Sequence, residues 1–336
     1  MTVGVAIVGC GLVGAKRAAA LPGDLALVSV FDPDVARAKS VSDTQGTEPR
    51  VVEVASSARD AIEHADVELV IVATPHRELP VLACAALRAG RHVLVEKPGA
   101  ADLAGAVAIA EAADATGRCA RVGFNHRFHP ALLEARRLIG TGDGVHGALM
   151  FIRARYGHGG RLGYEREWRA DAAVSGGGEL IDQGIHLVDL TRFLAGDVAL
   201  AFSDLRTAFW PMEVEDNAFL ALDCASGAFA WLHASWTEWK NLFSLELMLE
   251  RAKIEISGLG GSYGVETLIL SEMLPEMGPP VESRQSWDDG DSSWGAELED
   301  IAAAIVGEDA IGASIDDAVA ALRVVDAAYA AHEEQS

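Results

Sequence analysis

Cysteine is sparse in this 336-residue chain, and its four copies, Cys10, Cys84, Cys119 and Cys224, form no C-x-x-C and keep no regular spacing. That argues against a disulfide framework or a thiolate zinc centre and suits a reducing compartment. Basic residues are scarce as well: 27 Lys and Arg stand against 50 Asp and Glu, for a formal net charge of −23. They are scattered rather than gathered into a stripe, which argues against nucleic acid and anionic membrane surfaces as partners. No apolar run reaches the roughly 18 residues of a membrane span. The apolar start of the chain lacks a basic leader region and is broken by glycines, so a cytoplasmic protein is expected. H-E-x-x-H is absent too, and no metal is expected. What the chain has in quantity is hydrophobic residues, 50 % of the total, which is core enough for two domains at this length.

Residues 5–8 read as a short buried strand that runs into Gly9-Cys10-Gly11-Leu12-Val13-Gly14, a G-x-G-x-x-G. Gly9 and Gly11 let the backbone turn tightly and approach a pyrophosphate, and Gly14 lets the next helix pack close to the sheet. The helix N-terminus, with Leu12 and Val13, supplies N–H groups to phosphate. A helix-like run at 15–21 follows, and a second apolar run, 25–31, is closed by Asp32, eighteen residues past Gly14. A carboxylate there can accept from both ribose hydroxyls and repel a 2′-phosphate, so the expected cofactor is NAD.

Strands and helices alternate up to about residue 123, with strands predicted at 67–73, 92–95 and 119–122 and helices at 79–89 and 103–116. Residues 1–123 are therefore expected to form a doubly wound parallel sheet of the Rossmann type. Such sheets bind ligands at the carboxyl ends of their strands, which points to Thr74-Pro75-His76 and Glu96-Lys97-Pro98. Residues 124–336 read as an α+β domain. A helix at 131–139, a strand at 147–156 and a glycine-rich charged loop at 157–178 lead to a helix at 179–194. Strands at 198–202, 216–222, 229–237, 243–249 and 253–256 form a largely antiparallel sheet, followed by a surface excursion at 273–293 and helices at 297–305 and 315–331.

Asp182 and His186 are four apart in the predicted helix at 179–194 and would share a face, turned to solvent or to a cleft. Ser175-Gly176-Gly177-Gly178 before them and Gly184 between them suggest that something approaches closely. Lys97, directly after an apolar strand and fixed by Pro98, could donate to a substrate hydroxyl. Arg161 and Tyr164 in the long loop, and Trp236 and Asn241 beyond it, are candidate substrate contacts; solvated loop, core packing and subunit interface are the competing readings. Arg153, Arg155, Arg161 and Arg166 could grip an anionic handle such as a nucleotide diphosphate, although strand alternation puts Arg153 and Arg155 on one face, where they could serve the sheet instead.

With Ala73-Thr74-Pro75, Gly123-Phe124-Asn125-His126-Arg127-Phe128, Trp168-Arg169 and the run from Gly176 to His186 added in this order, nearly the whole chain resembles the glucose-fructose oxidoreductase, inositol dehydrogenase and MocA-like family. The resemblance implies a Rossmann domain joined to an α+β domain whose open sheet often forms oligomer contacts, hence a homodimer or homotetramer. It further implies that Lys97 is the catalytic lysine, Asp182 its acidic partner and His186 the proton acceptor. Trp168 and Arg169 would touch the cofactor, and Asn125 would position the lysine loop or the cofactor. The implied reaction is hydride transfer between a secondary alcohol and nicotinamide, on a sugar, a cyclitol or a nucleotide-linked sugar. Two other readings stay open: an NAD-retaining enzyme that cleaves glycosides, and a non-catalytic dinucleotide-binding regulator.

Overall fold

A computed structural model describes residues 2–45, 51–140 and 144–335. Strand β1 (Val3–Val8) is buried at every position, as a run of Val, Ala and Ile covered on both faces must be. It is followed by α1 (Leu12–Ala19), β2 (Leu25–Phe31), α2 (Val35–Gln45), β3 (Glu53–Val54), α3 (Ala58–Glu63), β4 (Leu69–Val72), α4 (Leu79–Arg88), β5 (His92–Glu96), α5 (Leu103–Thr116) and β6 (Ala120–Gly123). The six strands pair in parallel in the order β3-β2-β1-β4-β5-β6, so the strand order reverses between β1 and β4. Register decides what meets at the carboxyl edge. Val8 lies level with Phe31 and Val72, and Val72 level with Val95, so the residues just after them, Gly9, Asp32, Ala73 and Glu96, line one edge of the sheet. Local chemistry sets the helix ends: the Asp102 carboxylate accepts from the Gly105 amide at 2.7 Å, and Gly117 ends α5 at φ +63°. Periodicity did not reveal α2, β3 and α3. The two residues of β3 are both exposed, which leaves no hydrophobic pattern to read.

Beyond β6 come α6 (Pro130–Ile139), β7 (Leu149–Gly157) and α7 (Ala172–Ser175), a π-helical turn at Leu180–Gly184 that runs into α8 (Ile185–Ala195), then β8 (Val198–Arg206), β9 (Asn217–Cys224), β10 (Phe229–Ser235), β11 (Leu242–Leu249), β12 (Ala252–Ser257), β13 (Glu266–Glu272), β14 (Val281–Trp287), α9 (Ser293–Ile305) and α10 (Ile315–Gln335). Eight strands form one sheet in the order β14-β13-β12-β11-β7-β10-β9-β8. Its pairs are antiparallel except β7 with β10, the one parallel pair in this sheet among the described residues. Alternate residues of β11 are buried, as in a sheet packed on one face.

Three expectations are corrected. Residues 273–293 are not merely a surface excursion, since β14 pairs there as an edge strand; its residues are exposed on both faces, so alternation gave no signal. The helix at 179–194 is a π turn followed by an α-helix. The chain also divides differently from 1–123 and 124–336: Met1–Asn125 and Trp294–Val319 form one compact unit, and His126–Ser293 with Ala320–Ser336 the other. Leu298 and Ile301 of α9 belong to the core that also contains Val5, Ile7, Leu27 and Leu69, which draws this segment back to the first unit. No helix among the described residues is long and apolar enough to cross a membrane.

Candidate functional site

In the first unit the turn after β1 is built by its glycines. Gly9 sits at φ +96°, and a Cβ there would lie 2.3 Å from the Ala73 carbonyl oxygen. A Cβ on Gly14 would lie 1.9 Å from the Gly9 carbonyl oxygen, so only glycine lets α1 come this close to β1. Gly11 is different: a Cβ there would meet nothing within 4 Å, which makes its missing side chain open space in front of the turn. No side chain caps the N-terminus of α1, where Leu12 is 78 % exposed. The Asp32 carboxylate closes the turn from β2, accepting the Cys10 amide on one oxygen and the Asp34 amide on the other, each at 2.8 Å. Burial, and Asp32 nearby, push the Cys10 thiol up to about 12, so it stays protonated and unreactive. An uncapped helix start, open space at Gly11 and a carboxylate held beside it together fit a dinucleotide.

Along the same edge, Thr74 is half-buried, Pro75 is exposed and His76 is buried at the start of a 3-10 turn. Lys97 follows β5 half-buried, joined to Pro98 by a cis peptide bond. Glu96, expected at the cofactor, is held in an ion pair inside the first unit. Its Oε1 accepts from Arg17 Nε at 2.6 Å, and Arg17 Nη1 lies 2.6 Å from Oε2 of Glu297 on α9. Arg17 is fully buried over the Trp294 ring, 4.5 Å from its centroid. Two buried carboxylates thus share one guanidinium. Burial raises Glu297 to about 7, with Arg17 opposing and Glu96 adding to the rise. Asn125 is buried at the start of another 3-10 turn, Asn125–Phe128.

In the second unit the π turn carries Asp182, 5 % exposed, whose Oδ2 accepts from Arg169 Nε at 3.1 Å. Arg169 lies 4.6 Å from the Trp168 ring centroid. Burial works against its charge, but Asp182, with help from Tyr164 and Glu167, outweighs that and raises its pKa. The start of the turn hangs on Glu215, whose carboxylate accepts the amides of Gly178 at 3.1 Å and Leu180 at 3.0 Å and the Tyr329 hydroxyl at 2.9 Å. Burial pushes Glu215 up, with those donors pulling the other way. The close approach foreseen at the glycines is made by the chain itself: a Cβ on Gly178 would lie 2.0 Å from the Glu215 carbonyl oxygen, and one on Gly184 would lie 3.3 Å from Ala234 Cβ of β10. π turns of this kind are frequent at functional sites. Asp182 and His186 are both buried rather than set on a solvent face.

His186 stacks on His126, with ring centroids 3.8 Å apart. Tyr156 meets both rings edge-on. Gln183 Nε2 donates to the Tyr263 hydroxyl at 3.1 Å, and the Tyr263 ring lies 5.0 Å from that of Tyr156. Burial first, then Tyr263, Glu179 and Asp182, keep the Tyr156 hydroxyl well above its ordinary value. Of the expected substrate contacts, Trp236 is corrected to core: it is 0 % exposed and packs with Tyr164, Trp210 and Val214. Tyr164 is buried in the same cluster, its ring 5.0 Å from that of Trp236. Burial, reinforced by Asp182, holds its hydroxyl far above the ordinary range. Arg161 is exposed and paired with Glu167 at 2.6 Å, while Asn241 Nδ2 donates to the Ser262 carbonyl at 2.9 Å. The sequence reading did not single out Arg17, Glu297, Glu215, Tyr156 or Tyr263. His126 was quoted only as part of a motif, and a signal for it was present in the unusual pair His126 and His129.

Residues 3–124 match a family model described as "Oxidoreductase family, NAD-binding Rossmann fold", and residues 132–263 one described as "GFO/IDH/MocA C-terminal domain". Inositol 2-dehydrogenase 2 of Saccharopolyspora erythraea is 30 % identical over 68 % of this chain and 65 % of its own length. The scyllo-inositol 2-dehydrogenase (NAD(+)) of Bacillus subtilis is 30 % identical over 69 % and 67 %. The match thus spans slightly less than two thirds of the first relative and slightly more than two thirds of the second. A levoglucosan dehydrogenase solved in complex with NADH and levoglucosan shares the fold with a TM-score of 0.88, at 20 % identity over 100 % of this chain and 98 % of that one.

Proposed function

The chain belongs to the glucose-fructose oxidoreductase, inositol dehydrogenase and MocA-like (GFO/IDH/MocA) family, and on that premise we propose that it is an NAD-dependent dehydrogenase that oxidises a secondary alcohol of a sugar or cyclitol. The observation that carries this reading is the turn of Gly9, Gly11 and Gly14 with the Asp32 carboxylate fixed beside it. Those residues would hold the dinucleotide, pyrophosphate on the uncapped start of α1 and ribose on Asp32. When bound, NAD supplies the hydride acceptor.

The chain's own residues handle the proton. His186 accepts it from the substrate hydroxyl, a task suited to a side chain whose ordinary pKa is near neutral. Lys97 donates a hydrogen bond to the same oxygen and stabilises its developing negative charge. Asp182 is the acidic member of the set and is itself anchored by Arg169. Thr74, Pro75 and His76 remain candidates for cofactor contact at the end of β4.

The proposed polyol is unlinked rather than carried on a nucleotide. Three of the four arginines that would grip a diphosphate are paired with acidic neighbours: Arg153 with Glu246, Arg161 with Glu167 and Arg166 with Glu165. Exposed Phe202, Phe229 and Trp231 on β8 and β10 support burial against a second copy, as a homodimer or homotetramer. Four cysteines without disulfides suit a reducing cytoplasm. Screening purified protein with NAD against cyclitols, free sugars and sugar nucleotides, read by nicotinamide absorbance, tests the reading. Turnover of a free polyol is expected; no turnover of any of the three classes overturns it.

A further inference from the structure

The His126 imidazole lies against that of His186 with centroids 3.8 Å apart and planes within 14° of parallel. Both residues are buried, 7 % and 5 % exposed. His129 meets His126 edge-on at 5.5 Å. His129 Nδ1 in turn lies 2.9 Å from Glu266 Oε2, and the other Glu266 oxygen accepts the Ala131 amide at 2.6 Å. Tyr156 braces the stack from β7, edge-on at 5.2 Å to His126 and 6.1 Å to His186. Titratable or charged groups near the stack among the described residues of this unit include Tyr263 against Tyr156, Glu179 and Asp182 on and beside the π turn, and Asp291, 3.9 Å from His129 Nε2.

We propose that His126 is a positioning residue for His186: it fixes the plane of the His186 ring and couples to its titration, so that the stacked pair takes up one proton over the range in which two separate histidines would take up two. Two parallel imidazolium rings in contact, with little water between them, repel strongly. A neutral ring face beside one imidazolium is tolerated and even attractive. An interacting pair of this kind releases its protons in two macroscopic steps. In turnover, the doubly protonated state is removed from the working range, so the pair accepts the hydroxyl proton from its unprotonated state and holds one proton afterwards. This consequence rests on the dehydrogenase reading; the coupling itself rests only on the stack.

The test follows the ring resonances of isotopically labelled histidine in the full-length protein across about pH 5–9. In wild type, His126 and His186 are expected to titrate together, with their two steps at least about one pH unit apart. In His126→Phe, which keeps a ring face but cannot take a proton, His186 should titrate in a single step at a shifted midpoint. The acid limb of the kcat/KM profile should move with it. His126→Ala, which loses the ring plane as well, should lower turnover about tenfold further than His126→Phe. Independent single-step titration of the two histidines in wild type overturns the proposal, even if the Phe variant does not fold. Coupled titration in a protein that oxidises no polyol would remove the dehydrogenase reading and leave the coupling standing; an active enzyme with uncoupled histidines would do the reverse.

Discussion

The Asp32 carboxylate receives the Cys10 and Asp34 amides at 2.8 Å each, which holds it rigidly at the end of β2. A fixed anion there favours two ribose hydroxyls and opposes a phosphate, so wild type should use NAD in preference to its 2′-phosphorylated form. Asp32→Ala should narrow that preference about tenfold or more, the worth of one or two hydrogen bonds to a charged group. Kinetics with both cofactors check it, and a wild-type preference for the phosphorylated form overturns it. Lys97→Ala and His186→Ala should each lower turnover by about 10²–10⁴-fold while NAD affinity, read by calorimetry, stays nearly unchanged. These residues could be found in the sequence because short motifs mark them. Trp236 stayed undecided because an aromatic residue at the end of a strand reads the same whether it lines a wall or fills a core; only its packing with Tyr164 and Trp210 separates the two.

At the scale of elements, the glycine turn separates folding from binding. A Cβ on Gly11 would meet nothing in the protein, whereas one on Gly14 would collide with the Gly9 carbonyl. Gly11→Ala should therefore keep its stability within about 0.5 kcal/mol of wild type and still lose NAD affinity. Gly14→Ala should lose both. Thermal unfolding alongside calorimetry distinguishes them, and equal stability loss in the two variants would count against the reading of the turn. The π turn depends on Glu215 in a comparable way. Glu215→Ala leaves the Gly178 and Leu180 amides and the Tyr329 hydroxyl without their acceptor, at a cost of about 2–4 kcal/mol. Urea unfolding measures it; a loss below about 0.5 kcal/mol would show that water replaces the carboxylate.

For the molecule as a whole, the buried group Glu96, Arg17 and Glu297 ties α9 to the first unit and makes stability depend on pH. Glu297 is raised from an ordinary 4.5 to about 7. Because the folded state holds the proton more tightly, this contribution is complete below about 4.5 and is lost as pH rises through about 7. Glu215, also raised by burial, acts in the same direction. Stability should fall on the order of 1–3 kcal/mol from the acid to the alkaline side of that window, and Glu297→Gln should flatten the slope. Chemical denaturation at several pH values tests this; a slope unchanged in the variant assigns the pH dependence to other groups.

The sequence by itself determined the dinucleotide turn, the alternation of the parallel sheet and the position of Lys97 just past a strand. Each is local: a few glycines, an apolar run and the residue that ends it are all the physics requires. Tertiary structure alone decided the rest, because the partners are far apart along the chain. Arg17 and Glu96 are 79 residues apart and His129 and Glu266 are 137 apart, and no periodicity links them. The same holds for the return of α9 to the first core and for β14, whose exposed residues carry no alternation. Even the glycines around the π turn were read correctly as a sign of close approach, yet only the folded chain revealed that its own backbone at Glu215 and side chain at Ala234 are what comes close.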